Sequence, residues 1–468
     1  MNYILKKEHR KKMAIIASYF KGETYGLLGP QMAATIIEDN TLFDCIVIAV
    51  SREDNRDLVK RYVMDYFGAQ RAIVGFSSLS GREDLFLLAK ELKDKGAITI
   101  LAGPQADVDY VGEVGWQRHH HRFKGLSENF TFALHGPAEQ AVHLLHNLDG
   151  DTWSNTSGLI YRNKKGDFVQ NVKSEWDENH LKKVNWHNLY GLGETGFIHI
   201  NITTGQVLQQ IGCPYAIRKR RAFIDYPVSL AGKSHPDVKL FIKGCSFCDV
   251  AADKGFYGEL DIQTVIDQIQ GLPELSDGRK IPFELINENP LYGLPKLLEK
   301  IGDVGIRPSQ INLTLRADWL LQGEGNLLKA LSLAGSMGAK ILLGSIGFES
   351  FDNTILRNLN KGVAAETNLE TIRRIRRIKE KFPDSFMYSR DDGAIHGFIH
   401  PTPWDNTRTS CNIQRLISMY GLTFDILPHK STPLIIHHAS SLGRWIRRIE
   451  RQEKMECKRY GNIIAWWQ

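Results

Sequence analysis

The sequence predicts an α/β protein in which a doubly wound parallel sheet is followed by a partial barrel of repeated βα units. Apolar segments of strand length recur along the chain, and amphipathic helical segments separate them. This pattern loosens once, between residues 151 and 205, which divides the chain into two blocks. A length of 468 residues is enough for two or three domains, each with its own core.

The first block, residues 1–150, contains five apolar runs with helical segments between them. Continuous apolar strands of this kind imply a parallel sheet covered on both faces, and such sheets bind ligands at the carboxyl ends of their strands. Turns with small residues follow these ends, so Ser77, Ser78, Gly103 and Gly136 are candidate ligand contacts. Simple turn closure explains the same residues equally well. The runs are "MAIIASY", "CIVIAV" (45–50), "RAIVGFSS" (71–78), "AITILAG" (97–103) and "FTFALHG" (130–136).

The segment 151–205 is predicted to be a linker with a small hairpin. "GLIYRNKKGDFVQN" places two strand-like runs around Lys164, Lys165 and Gly166, and a polar stretch containing tryptophan comes after it.

The second block, residues 206–433, again alternates strands with helices, as expected of a partial barrel whose chemistry lies at the carboxyl ends of its strands. Polar residues stand at several of these ends, among them Glu288, Arg316 and the pair Glu349-Ser350. The predicted strands are "QVLQQIG" (206–212), "KLFIKG" (239–244), "IPFELIN" (281–287), "INLTLRA" (311–317), "AKILLGSIGFES" (339–350), "AIHGFIHP" (394–401) and "LTFDILP" (422–428).

Composition narrows the range of functions. A hydrophobic content of 42%, a charged content of 24% and a net charge of +6 are typical of an ordinary globular protein, and they argue against a dedicated nucleic-acid binder. The longest apolar runs have strand length, so no membrane span is predicted, and we expect a cytoplasmic protein. Residues 434–468 form a basic tail with a helical pattern, which either docks a partner or caps the barrel.

Six cysteines are too few for a disulfide framework, yet Cys245 and Cys248 stand together in "KGCSFCD". Two thiolates at this spacing can reach one metal centre, and Cys213 in "QIGCPYA" is the candidate for a third ligand. Three interpretations stay open at this point: an iron–sulfur cluster, a zinc site completed by a histidine such as His235, or incidental cysteines. The run "RHHHR" (118–122) is interpreted as a solvated loop.

The cysteine segments resemble the cluster-binding motif of radical S-adenosylmethionine enzymes, C-x-x-x-C-x-aromatic-C, with Phe247 as the aromatic residue. "LRADWL", "GSIGFESFDNTILRNLNKG" and "DILPHKSTPL" resemble the third, fourth and sixth strands of that family's partial (β/α)6 TIM-type barrel, together with the residues after each strand. "ILAGPQADVDY" and "ALHGPAEQAV" are similar to the Rossmann-like, cobalamin-binding-type domain that precedes the barrel in one large subclass.

The resemblance implies a 4Fe-4S cluster on Cys213, Cys245 and Cys248, with a free iron for S-adenosylmethionine. It also implies that Glu288 meets the amino group of that cofactor. Arg316, Glu349 and Ser350 would address its carboxylate and ribose.

This chain departs from the family pattern in two places. Between Cys213 and Cys245 lie 31 residues where the motif has three, so 217–240 is an insertion in the cluster loop, and it carries the basic run Arg218–Arg221. The histidine motif D-x-H-x-x-G of many cobalamin domains is absent from the sequence. Two hypotheses remain for the first domain: it binds cobalamin without a histidine ligand, or it keeps the fold alone.

The sequence thus leads to the hypothesis of a radical S-adenosylmethionine enzyme, catalysing cobalamin-dependent methyl transfer or a radical rearrangement or cyclisation. The expected partners are a small-molecule or peptide substrate and an electron donor such as a flavodoxin or ferredoxin, without nucleic acid. The alternative is a non-catalytic binding or regulatory protein with a degenerate cluster site.

Overall fold

The structure is a computed structural model that describes residues 10–77, 81–103, 129–150, 152–230, 237–248, 256–460 and 463–466. The chain divides into two compact units, Met1–Gly205 with Tyr460–Ile463 and Gln206–Arg459 with Ile464–Gln468. Every helix in the described ranges is too short or too polar to cross a membrane.

The first unit is built on a sheet whose nine described strands run in the order β7-β6-β5-β4-β3-β1-β2-β8-β9. The pairs from β5 across to β8 are parallel, and β5–β6, β6–β7 and β8–β9 are antiparallel. The first five strands therefore have the order 2-1-3-4-5, which reverses direction between β1 and β3. The strands are β1 Lys11–Ser18, β2 Phe43–Val50, β3 Ile73–Ser77, β4 Ile98–Leu101, β5 Phe132–Leu134, β6 Leu159–Arg162, β7 Phe168–Gln170, β8 Leu189–Leu192 and β9 Phe197–His199.

Helices cover this sheet, as the continuous apolar runs predict. Residues 13–17 of β1 are all buried, which requires cover on both faces of the strand. Cys45 is fully buried in β2. The predicted hairpin around Gly166 is confirmed by the antiparallel pairing of β6 with β7. The helices are α1 Leu28–Asn40, α2 Arg56–Phe67, α3 Glu83–Asp94 and α4 Glu139–Asn147.

Arg82 ties together the carboxyl ends of β1 and β2. Its guanidinium, 2% exposed, donates to the Ser18 hydroxyl at 2.9 Å and to the carbonyls of Val50 at 2.8 Å and Ser51 at 3.0 Å. The carboxylate of Asp84 accepts two further bonds at 2.9 and 2.8 Å. A buried charge is tolerated here because each side of the guanidinium has a partner.

The second unit contains a six-stranded sheet in the order β10-β15-β16-β17-β18, and β19 also pairs with β17. The pairs β15–β16, β16–β17, β17–β18 and β17–β19 are parallel, as expected for repeated βα units. Closure of this sheet into a partial barrel stays a prediction. The strands are β10 Gly205–Leu208, β15 Phe283–Ile286, β16 Gln310–Arg316, β17 Lys340–Glu349, β18 Phe386–Met387 and β19 Gly397–Phe398. The helices are α5 Ile262–Gln270, α6 Leu294–Asp303, α7 Ala317–Ser336, α8 Asn353–Asn358, α9 Ala365–Lys381, α10 Thr407–Met419, α11 Leu422–Asp425 and α12 Ser441–Glu453.

Three smaller sheets accompany it in the described part of the chain. Two are antiparallel pairs, β11 with β14 and β12 with β13. The third has the order β20-β22-β21 near the carboxyl terminus. Their strands are β11 Gln210–Gly212, β12 Lys219–Ile224, β13 Val238–Lys243, β14 Phe256–Glu259, β20 Ile436–His437, β21 Lys458–Tyr460 and β22 Ile463–Ala465.

The predicted strand over 422–428 is wrong, because the residues Leu422–Asp425 form the single helical turn α11. Gly421 begins this turn with a left-handed φ of 59°. Leu422 and Ile426 are both buried and stand four residues apart, which is a helical spacing. The carboxylate of Asp425 accepts two bonds of 2.8 Å from Arg376 on α9, which fixes the end of the turn.

We expect Arg82→Leu to lower the free energy of unfolding by about 3 kcal/mol, because two buried carbonyls and the Asp84 carboxylate lose their donor. Urea denaturation followed by circular dichroism measures this change. Arg71→Leu is the matched control, since Arg71 is exposed and donates one long bond of 3.4 Å to Gly96, and its effect should stay below about 0.5 kcal/mol. Equal effects of the two substitutions would contradict the role given to Arg82.

Candidate functional site

The insertion itself brings the two halves of the cysteine motif together. Strands β12 and β13 pair antiparallel, with Lys219 opposite Lys243 and Ile224 opposite Val238. Opposite residues in such a pair lie about 5 Å apart, so this β12–β13 ribbon returns the chain to the point where it left. Cys213 stands six residues before the base of the ribbon, and Cys245 stands two residues after it.

A second pair of strands closes the same segment from outside. Strand β11 ends at Gly212, directly before Cys213, and it pairs antiparallel with β14. Strand β14 comes after Cys248 in the chain. The stretch that holds all three cysteines is therefore enclosed between two antiparallel pairings.

The turn at Cys245 and Cys248 is held by the loop after α8. The Cys248 amide donates to the Cys245 carbonyl at 3.3 Å, and this bond closes the turn. Between the cysteines, the Ser246 amide donates to the Leu359 carbonyl at 2.9 Å and its hydroxyl donates to the Asn358 carbonyl at 2.8 Å. Because Ser246 is fully buried, these bonds fix the position of both cysteines.

Arg316, at the end of β16, contacts both halves of the cysteine motif. Its Nη1 donates to Cys245 Sγ at 3.7 Å, and its guanidinium carbon lies 4.0 Å from the ring centroid of Tyr215, two residues after Cys213. The carboxylate of Asp318 accepts bonds of 3.0 and 3.3 Å, and the Lys361 carbonyl accepts another. Arg316 therefore holds the two segments against each other from the strand end.

A buried ion pair lies beside Arg316. Lys361 Nζ donates to Glu349 Oε1 at 3.1 Å, with the side chains 4% and 11% exposed. Burial by itself would lower the pKa of Lys361, but the Glu349 carboxylate, with Cys245 in support, raises it above its ordinary value. A Cβ on Gly347 would lie 2.6 Å from Glu349 Oε1, and one on Gly397 would lie 2.8 Å from Glu349 Oε2. Glycine is therefore needed on both sides of this carboxylate.

The Cys213 thiol lies under the electrostatic influence of Glu288 and Cys245. Burial raises the pKa of the Cys213 thiol to about 11, and the negative charges of Glu288 and Cys245 add to that effect. Burial also raises the pKa of Glu288, against the opposing influence of Lys361. A thiol with the pKa of Cys213 is protonated at neutral pH, so a metal centre that binds it must displace the proton.

The sequence-predicted residues fall into two groups here. Glu288, Arg316 and Glu349 lie with the cysteines. Ser350 is fully buried, and its hydroxyl accepts a bond of 3.2 Å from the Asp352 amide, while Phe247 is half-buried between the cysteines. Their roles toward S-adenosylmethionine stay predictions.

Sequence reasoning missed two residues of this site, Tyr215 and Lys361. An aromatic residue two positions after Cys213 was the available signal for Tyr215. Lys361 stands in "NLNKG", a segment noted for its resemblance but given no role.

Among the described residues, no three His, Cys, Asp or Glu side chains converge closely enough to hold a single metal ion. A cuboidal iron–sulfur cluster binds each cysteine through a separate iron, so its ligands can lie further apart. His235, proposed for a zinc site, and the histidine run 118–122 lie outside the described residues.

In the first unit, three of the four candidate ligand contacts are described. Ser77 ends β3, and Gly103 follows β4 with a φ of 70°, where a Cβ would lie 2.7 Å from the Ser77 hydroxyl. Gly136 follows β5 with a φ of 106°, and a Cβ there would lie 2.6 Å from Gln140 Nε2. These three residues lie at the carboxyl ends of neighbouring strands, and Ser78 lies outside the described residues.

We expect Glu288→Gln to accelerate the alkylation of Cys213 by iodoacetamide at pH 8 in the metal-free protein. Removal of a negative charge stabilises the thiolate and lowers the pKa of Cys213, and a shift of about half a unit raises the thiolate fraction about threefold. Mass spectrometry of timed samples measures the rate. Glu299→Gln is the control, because Glu299 lies half-exposed on α6 and pairs with Lys329. An unchanged alkylation rate in Glu288→Gln would show that the charge of Glu288 does not influence the Cys213 thiol.

No family model matches the chain. Bacteriochlorophyllide d C-12(1)-methyltransferase of Chlorobaculum tepidum is 29% identical to it over 163 residues, which cover 33% of this chain and 33% of that protein. The chain therefore matches about a third of the length of this curated relative.

Two solved structures of OxsB, a cobalamin-dependent S-adenosylmethionine radical enzyme, are similar in fold. One has aqua-cobalamin and S-adenosylmethionine bound, with a TM-score of 0.61, and the other has aqua-cobalamin bound, with a TM-score of 0.60. Each is 11% identical to this chain, and each match covers 98% of this chain and 64% of the OxsB chain. The chain therefore has the fold of a cobalamin-dependent S-adenosylmethionine radical enzyme, in agreement with the resemblance of its cysteine motif and strand pattern.

Proposed function

We propose that the protein is a radical S-adenosylmethionine enzyme that transfers a methyl group with the help of cobalamin. The observation that carries the proposal is the β12–β13 ribbon, which pairs the two ends of the insertion and so supports a position of Cys213 close to the Cys245–Cys248 turn. A degenerate cluster motif would not require an ordered ribbon that pairs the two ends of its insertion. The proposal prefers methyl transfer to rearrangement or cyclisation because the curated relative is a methyltransferase.

In this proposal Cys213, Cys245 and Cys248 hold a 4Fe-4S cluster. The donor set fits, because the three half-buried sulfurs have access for a cofactor and belong to segments that are fixed on both sides. When bound, the cluster supplies the electron that cleaves S-adenosylmethionine, and cobalamin carries the methyl group.

The remaining residues of the site have separate tasks in the proposal. Glu288 receives the amino group of S-adenosylmethionine, and its burial strengthens that interaction by excluding water. Lys361 holds the Glu349 carboxylate in place at the end of β17. Arg316 donates to Cys245 Sγ, so its guanidinium balances negative charge on the sulfur, and its predicted contact with the carboxylate of S-adenosylmethionine remains part of the proposal.

The strand order of the first unit is compatible with a bound cobalamin. The strand order reverses between β1 and β3, and sheets of this order bind cofactors at the carboxyl ends of the strands beside such a reversal. Ser77 and Gly103 lie at the ends of the adjoining strands. The substrate is not named by any of these residues.

The function is tested by reconstituting the protein with iron and sulfide without oxygen, and then adding hydroxocobalamin, S-adenosylmethionine and dithionite. We expect about four irons per chain, formation of 5′-deoxyadenosine, and cobalamin retained on gel filtration. Cys213→Ala should lose the cluster, while Cys411→Ala should keep it, because Cys411 is exposed on α10. An unchanged cluster in Cys213→Ala would remove the three-cysteine assignment, and a protein with zinc or no metal would favour a binding function.

Arg316→Gln should make the midpoint potential of the reconstituted cluster more negative. Reduction adds negative charge, and a cation that donates to a cluster sulfur favours the reduced state. Arg316→Lys keeps the charge and should restore part of the potential. Redox titration followed by electron paramagnetic resonance measures both, at equal iron content. Arg374→Gln is the control, since Arg374 pairs with Glu370 and Glu324 on helices. An unchanged potential in Arg316→Gln would leave Arg316 with a structural role alone.

A further inference from the structure

The β12–β13 ribbon has one face that is exposed and strongly basic. Because side chains alternate along a strand, every second residue of β12 and its partner on β13 share this face. All six of these residues are exposed, four are cations and two are aromatic. This outer ribbon face consists of Lys219, Arg221, Phe223, Lys239, Phe241 and Lys243.

The opposite face of the ribbon accounts for its stability, so the cations are not needed for packing. Ile224, Val238 and Ile242 are buried there. None of the four cations on the outer ribbon face forms an ion pair with a carboxylate in the described part of the chain. Four positive charges on two short strands repel one another, which costs stability unless acidic groups offset the repulsion.

The outer ribbon face begins next to the cysteines. Lys243 stands two residues before Cys245, so their Cα atoms are at most about 7 Å apart. Lys219 lies opposite Lys243 in the ribbon. A partner bound on this face therefore comes to lie beside the cluster ligands.

We propose that the outer ribbon face docks an acidic flavin-containing electron-donor protein. The inference rests on the proposed function, because an electron donor is needed only where a cluster is reduced. In the step that this contact serves, one electron leaves the reduced flavin, which is oxidised, and reduces the cluster. No proton or group is transferred. Opposite charges accelerate encounters of this kind and permit a small, short-lived interface.

The aromatic residues favour a protein partner over single-stranded nucleic acid. Nucleic-acid surfaces of this composition offer open aromatic rings on which bases stack. Here the Arg221 guanidinium carbon lies 4.8 Å from the Phe223 ring centroid, and Lys219 Nζ lies 5.8 Å from the Phe241 ring centroid. A cation therefore already contacts one face of each ring, where it competes with a stacked base.

The test uses the full chain and a reduced bacterial flavodoxin as the probe. Binding is measured by fluorescence anisotropy of labelled flavodoxin, and cluster reduction is measured by the loss of visible absorbance without oxygen. The variant is Arg221→Glu with Lys239→Glu, which leaves the residues nearest the cysteines intact. The control is Lys164→Glu with Lys165→Glu, two exposed lysines at the β6–β7 turn of the other unit.

We expect the ribbon variant to bind flavodoxin and to be reduced by it about tenfold less well than wild type at low salt, because electrostatic steering is lost. The control should behave like wild type, and the wild-type advantage should disappear at about 0.5 M salt. Dithionite should reduce the cluster of all three proteins equally.

Wild-type flavodoxin binding by the ribbon variant would overturn the proposal. The proposal would also be overturned if the ribbon substitutions weakened the binding of a labelled single-stranded oligonucleotide but left flavodoxin binding unchanged. Failure of dithionite to reduce any cluster in the wild type would instead refute the proposed function. The anisotropy measurement needs no cluster, so it decides the docking question in either case.

Discussion

The proposed cluster site depends on one constraint: sulfurs separated by 31 residues of sequence must reach the same place. The entropy cost of closing a loop grows only slowly with its length, so a long insertion is tolerated, but a flexible loop would leave the sulfur positions undefined. The β12–β13 ribbon removes that freedom by pairing six residues with six. Arg316 completes the constraint, since it stacks on Tyr215 and donates to Cys245.

Two buried cations beside the cysteines are already held in place by acidic partners. Arg316 and Lys361 are both buried cations, and a buried cation is costly unless partners surround it. Asp318 and Glu349 supply these partners, and Glu349 does so from a left-handed backbone with a φ of 60° that only strong local contacts sustain. Both cations also interact with Cys245. They are therefore already in place to offset the negative charge that appears when the thiols are deprotonated.

Local patterns predicted the strands and helices well, but they could not predict contacts across the chain. Runs such as residues 13–17 are buried throughout, so their apolar sequence reports directly on the parallel sheet. The run "LTFDILP" was misassigned because its four apolar residues suit a strand and a helical turn equally, and a distant Arg376 decides between them. Likewise, the basic strand of the ribbon has no apolar alternation that marks it as a strand. Lys361 could not be assigned a role either, because its ion pair with Glu349 forms only in the folded chain.

The carboxyl-terminal helix shows how far the ribbon relies on the rest of the second unit. A two-stranded ribbon is marginal by itself, and its edges offer unpaired backbone groups. The basic residues of α12 meet that need: Arg444 donates to the Phe241 carbonyl at 3.0 Å and Arg448 donates to the Lys239 carbonyl at 3.4 Å. The Leu442 amide at the start of α12 donates to the Ser246 carbonyl at 2.8 Å, between the two cysteines. Two arginines of the tail that suggested a docking helix in the sequence thus stabilise the ribbon, and through it the spacing of the cysteines.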